Sequence, residues 1–186
     1  MRHRLLLPKL LLCWLLLARG ASAQTAATPE AAAPTRAIKV GLCAQWLPSN
    51  PFGGSSAAGP GIIGVYEFLL SPRFSLGIEG GYRQYFGGAA VNQLVYGLVL
   101  KHGFLEPASA VRPYLQYGLL QQISRQNGHQ GASVSYDAGL MAGADFRAFV
   151  PLFLEVAFHV SHLSAIDAQA RSVSYFEVVS GTRWSW

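Results

Sequence analysis

Long apolar runs are missing from most of this chain. From residue 37 to Trp186 no stretch reaches the ~18 apolar residues read as a membrane-crossing helix, which excludes helical spans over that range. Long helical periodicity is missing as well. Cysteine is scarce: Cys13 and Cys43 are the two, and Cys13 lies in a segment predicted to be removed, so the mature chain has no pair for an intrachain disulfide. There is no Gly-rich phosphate loop, no paired-cysteine metal site and no histidine cluster with ligand spacing, and neither a metal nor a cofactor is expected.

What is present begins with an export signal. Arg2 and Arg4 precede an apolar stretch from Leu5 to Ala18, and the small-residue site "ASA" follows just before Gln24. Residues 1–23 are therefore read as a signal peptide. Its removal takes Arg2, Arg4, Lys9 and Arg19 from the 14 basic residues, leaving 10 against 9 acidic ones, a formal +1. That near-neutral balance leaves no basic patch to bind nucleic acid. Residues 24–36, "QTAATPEAAAPTR", have almost nothing bulky to bury and are read as a flexible leader, so the folded domain is predicted over 37–186.

Within 37–186 the recurring feature is alternation, with every second residue apolar, which is the strand period. Eight such stretches run at about 37–47, 61–70, 74–86, 93–102, 113–123, 132–146, 152–163 and 172–186, separated by turn-like segments such as "LPSNPFGGSSAAGP", "SPR" and "EPASAVR". They are even in number and long enough for tilted strands to cross a bilayer.

The charges choose a face. Glu79 and Arg83 share one parity against Phe74, Leu76, Ile78 and Tyr82; Asp137 and Asp145 oppose Val134, Tyr136, Leu140 and Phe146; Glu177 and Arg183 oppose Phe176, Val178, Trp184 and Trp186. Lys39, Glu67, Lys101 and Glu155 can be phased the same way. The remaining nine charges of the mature chain, among them Arg36, Arg73, Glu106, Arg112, Arg125, Arg147 and Arg171, fall by this reading in the leader or in connections, with none on the apolar face.

A soluble sandwich would also alternate. The export signal, the glycine-rich and charge-poor character of the polar face, and aromatics gathered near strand ends favour a membrane barrel instead. Strands in hydrocarbon must close on themselves, because an open edge leaves backbone groups unsatisfied. The predicted fold is all-β, an eight-stranded antiparallel up-and-down transmembrane β-barrel. Its lumen is expected to be filled by pairing among Lys39, Glu67, Glu79, Arg83, Lys101, Asp137, Asp145, Glu155, Glu177 and Arg183.

Residues 37–186 resemble the small outer-membrane β-barrel proteins of Gram-negative bacteria, the OmpA-like and OmpX-like superfamily. The resemblance rests on the hairpin "GVYEFLLSPRFSLGIEGGYRQYF" and the terminal strand "SYFEVVSGTRWSW". It implies location in the bacterial outer membrane, contact with outer-membrane lipid and lipopolysaccharide, and a C-terminal signal read by the barrel assembly machinery. By the same resemblance Trp186 ends the last strand at the periplasmic interface, with Trp184 and Phe176 on its lipid-facing side.

One stretch carries candidate chemistry. "LEVAFHVSHLSAID" holds two His-x-Ser pairs, His159 with Ser161 and His162 with Ser164, and two residues apart on a strand both side chains lie on one face. The stretch is similar to the lipid A deacylase barrels, outer-membrane esterases with such a pair followed by a glutamate, a position that Glu177 would fill here. The family's Asn-Ala-Gly is replaced by "AID", and Glu177 has the parity opposite to His162. The main expectation is a structural or interaction barrel; the esterase is the alternative.

Overall fold

The computed structural model describes residues 35–48, 56–86, 90–106, 109–126, 132–163 and 171–186. The predicted signal peptide and most of the leader, together with Ser164 and Asp167, lie outside the described residues. Eight strands follow one another: β1 (Arg36–Leu47), β2 (Ala57–Leu69), β3 (Phe74–Tyr85), β4 (Val91–Gly103), β5 (Val111–Gln126), β6 (Ser133–Phe146), β7 (Leu152–Leu163) and β8 (Arg171–Ser185). Each pairs antiparallel with its sequence neighbour, and β1 pairs with β8, so the sheet is a closed barrel. Closure runs from Ala37 opposite Ser185 to Trp46 opposite Phe176.

Side-chain alternation makes the two faces. Along β1 exposed and buried residues alternate without a break from Arg36 to Leu47. The outward set is apolar, with Leu42 69%, Leu119 58%, Ile78 55% and Leu98 53% exposed. Such a surface around a whole barrel far exceeds what water tolerates on a monomer and matches a hydrocarbon surround.

Aromatic rings collect at two levels of the exterior. Around the rim that holds both ends of the barrel chain, Tyr66 meets Phe68 and Trp186, while Phe74 stacks on His102 at 4.4 Å. Toward the far rim Trp46 stacks on Phe176 at 6.2 Å, and Phe158 tilts against Phe176 at 5.3 Å. Phe176 thus belongs to the girdle opposite the one that Trp186 joins.

The strands reach further than the sequence pattern predicts. β2 begins at Ala57 and incorporates the "AAGP" segment read as a turn, because the strands on either side extend far enough to pair with it: Pro60 lies opposite Ala44, and Ala58 and Phe86 exchange backbone hydrogen bonds. Gly59 makes this possible, since an added Cβ there would lie 1.6 Å from the Gln84 carbonyl oxygen. Arg36, Arg112, Arg125 and Arg171, predicted in the leader or connections, are strand residues instead. Arg36 and Arg125 stand on the outer parity, which corrects the expectation of a charge-free outer face. Both occupy strand ends, where a long side chain can extend to the headgroup level.

Candidate functional site

The inward residues form two polar groups with an apolar layer between them. In the group nearer the chain termini, Lys39 Nζ lies 2.6 Å from Glu155 Oε1 and donates to Gln116 at 3.2 Å, while the Tyr114 hydroxyl donates to the same Glu155 oxygen at 2.8 Å. Lys101 Nζ sits 2.8 Å from Asp145 and 3.6 Å above the Tyr114 ring centre. Arg183 donates twice to Glu67 Oε2, at 3.1 and 2.7 Å. Three cations thus meet three carboxylates, with Arg112 opposite Asp145 at the rim of this half.

The second group centres on Glu177. Arg83 grips it with two hydrogen bonds, Nε to Oε1 at 3.0 Å and Nη2 to Oε2 at 2.7 Å, and Gln45 adds a third at 2.8 Å. His159 stacks on Tyr175 at 4.6 Å with the rings 2° from parallel. Its Nδ1 lies 3.1 Å from Asp137, and its Nε2 lies 3.3 Å from Glu177. Tyr175 and Gln122 both donate to the other Asp137 oxygen. Glu79 is a looser member, 3.9 Å from Arg83.

Sequence order along the strands defines the layer between the groups. On β1, Cys43 lies between Lys39 and Gln45; on β4, Val99 and Val95 lie between Lys101 and Gln93; on β5, Leu120 lies between Gln116 and Gln122; on β8, Val179 lies between Arg183 and Glu177. These residues, with Ile63, Val65 and Phe153, form one buried apolar cluster. A second cluster of Leu47, Ala57, Tyr85, Val91, Val173 and Tyr175 lies beyond the Glu177 group, toward the far rim.

The structure therefore places all ten charged residues of the predicted lumen set on the inner face. Nine are at most 9% exposed, and the Arg183 side chain is 11% exposed. Lys39, Glu67, Lys101, Asp145, Glu155 and Arg183 gather in one group, and Glu79, Arg83, Asp137 and Glu177 in the other. Sequence reasoning did not find Gln45, Gln116, Gln122, Tyr114 or Tyr175 as network members. The available signal was parity: Tyr114, Gln116 and Gln122 share one face of β5, a strand with no charge in its middle to set the phase.

Of the two His-x-Ser pairs, only His159 with Ser161 lies wholly within the described residues. His159 and Ser161 are both inward and buried, yet Ser161 donates to Gln122 at 3.1 Å and His159 is held between Asp137 and Glu177. An acyl-transfer dyad needs the hydroxyl on the imidazole nitrogen, and here a carboxylate stands where that hydroxyl would be. His162 faces outward, with Nδ1 3.5 Å from the Ser172 hydroxyl. Glu177 lies on the opposite face of the sheet. Among the described residues no group of three His, Cys, Asp or Glu side chains is arranged to hold a metal ion.

No protein-family model matches the chain, and no curated protein matches it. Solved structures do. Neisserial surface protein A (NspA) is similar with a TM-score of 0.62 at 16% identity, over 82% of this chain and 97% of that one. The outer membrane enzyme PagL gives 0.53 at 14%, over 79% and 97%. The N-terminal β-barrel domain of Pseudomonas aeruginosa OprF gives 0.50 at 14%, over 82% and 100%. At these identities the likeness is one of fold.

Proposed function

From a chain that folds as small outer-membrane β-barrels do, we infer an outer-membrane protein with a structural or interaction role and a lumen closed by its own charge pairs. The observation that carries the reading is the reach of those pairs. Lys39 on β1 meets Glu155 on β7, Lys101 on β4 meets Asp145 on β6, Arg183 on β8 meets Glu67 on β2, and Arg83 on β3 meets Glu177 on β8. Every one passes over at least one intervening strand, so together they link strands that do not pair in the sheet. Eight strands leave a bore just wide enough for side chains to fill. Paired charges in that bore satisfy each other while obstructing solute passage.

In this reading residues 1–23 direct export, the rim holding Trp186 faces the periplasm, and the aromatic-ended last strand is presented to the barrel assembly machinery. The apolar exterior contacts lipid and, at the far rim, lipopolysaccharide. The decisive test is conductance in planar bilayers. Folded wild-type chain is expected to give no sustained unitary steps; regular porin-like openings would overturn the closed-lumen reading. Incubation with lipopolysaccharide, followed by mass spectrometry of the lipids, checks the enzymatic alternative. Fatty-acid release that His162→Ala abolishes without unfolding the barrel would replace the structural reading with an esterase.

A further inference from the structure

The connections at the rim of the chain termini share a composition that the closed lumen does not explain. They are residues 70–73, "LSPR", 104–110, "FLEPASA", and 147–151, "RAFVP". With the adjoining strand starts they carry Arg36, Arg73, Arg112 and Arg147 against the single acid Glu106. They also carry bulky apolar side chains turned outward: Leu70 is 65% exposed, Phe104 45% and Phe149 105%. A fully exposed phenylalanine in a short connection is unfavourable in water and favourable at a lipid interface.

Backbone hydrogen bonds hold these connections side by side. Gly103 donates to Arg73 O at 2.7 Å, Phe104 to Pro113 O at 3.0 Å and Arg147 to Ala110 O at 2.8 Å. Arg112 crosses between two of them and donates to the Pro72 carbonyl oxygen. Arg73 is paired with Glu106 at 2.7 Å while its side chain stays 53% exposed, and Arg147 is exposed. The result is one basic rim on which Arg36, Arg73 and Arg147 are exposed, as are Leu70, Phe104 and Phe149.

We propose that this rim binds the phosphates of anionic phospholipids in the adjacent leaflet, with Arg36, Arg73 and Arg147 taking the headgroups and Leu70, Phe104 and Phe149 entering the acyl boundary. Guanidinium groups form paired, charge-assisted hydrogen bonds with phosphate oxygens. Aromatic groups beside them fix the depth at which those bonds form. The inference rests on the membrane placement proposed above, and its test separates the two.

The chain is refolded in detergent micelles containing equal amounts of phosphatidylglycerol and phosphatidylcholine with the same acyl chains, and retained lipid is counted by native mass spectrometry. Wild type is expected to retain phosphatidylglycerol with about tenfold preference, since each basic residue near an anionic surface adds about 1 kcal/mol, roughly fivefold, before screening reduces it. R36Q/R73Q/R147Q should bring the preference below about twofold while keeping the heat-sensitive gel mobility of a folded barrel. Should the triple variant fail to fold, R147Q alone is expected to reduce the preference severalfold. Equal retention of the two lipids by wild type, or a preference that survives the arginine substitutions, overturns the proposal. So does binding to purified cell wall through the same arginines without lipid preference. Stable monomeric solubility without detergent would remove the membrane placement itself, a failure distinct from loss of headgroup preference.

Discussion

At the scale of the residue, the barrel interior is governed by the cost of isolating a charge. Arg83 and Glu177 are buried together, and each depends on the other to offset desolvation. Removing one partner of such a pair costs ~3–5 kcal/mol, whereas replacing both with apolar groups of similar volume can be neutral. Arg83→Met is expected to lower unfolding stability by ~3 kcal/mol or more, and Arg83→Met with Glu177→Leu to recover most of that loss. Urea titration in a fixed bilayer composition measures both; a double variant no better than the single would show that the two residues do not act as a pair. The inward placement of these charges was legible, because a charge fixes the parity of its strand. Gln122 was not, because no charge in the middle of β5 sets its phase, whereas Tyr175 shares the parity of Glu177 on β8.

At the scale of the element, the strands are tuned by what each face must pack against. Gly139 and Gly80 are both mid-strand glycines, but an added Cβ at Gly139 would lie 2.7 Å from the His159 ring, while at Gly80 nothing lies within 4 Å. Gly139→Val should therefore cost ~1–3 kcal/mol by forcing His159 away from Asp137. Gly80→Ala should be neutral or stabilising by up to ~1 kcal/mol, since glycine weakens a strand interior. Equal effects at the two sites would contradict the assignment of inner and outer faces. Strand ends were the least legible elements: Gly59 and Pro60 read as breakers in isolation, yet β2 extends through them because paired strands flank it on both sides.

At the scale of the whole molecule, what surrounds the barrel and what fills it are set by opposite faces of the same strands. The exterior is dominated by exposed leucine, isoleucine, valine and aromatic side chains, so the isolated chain is expected to require detergent and to migrate differently on gels before and after boiling. Identical mobility in both states, with solubility in plain buffer, would contradict the membrane reading. Lumen closure is likewise a property of the assembled ring. With Lys39, Lys101, Arg83 and Arg183 each tied to a carboxylate across the bore, the folded chain should hold no steady conductance.

Composition and alternation alone determined that the chain forms strands, that one face is apolar and that charges belong to the other, because side-chain parity along a strand is set by local geometry. They also determined the number of strands, since each alternating stretch is bounded by turn residues. Only the tertiary structure decided which charges meet. Residues such as Lys39 and Glu155 are 116 positions apart, and their encounter depends on closure and register around the ring, to which no local pattern refers. It also decided that His159 lies between two carboxylates while Ser161 turns to Gln122. A two-residue spacing places side chains on one face, but neighbouring strands determine the partner that each of them finds.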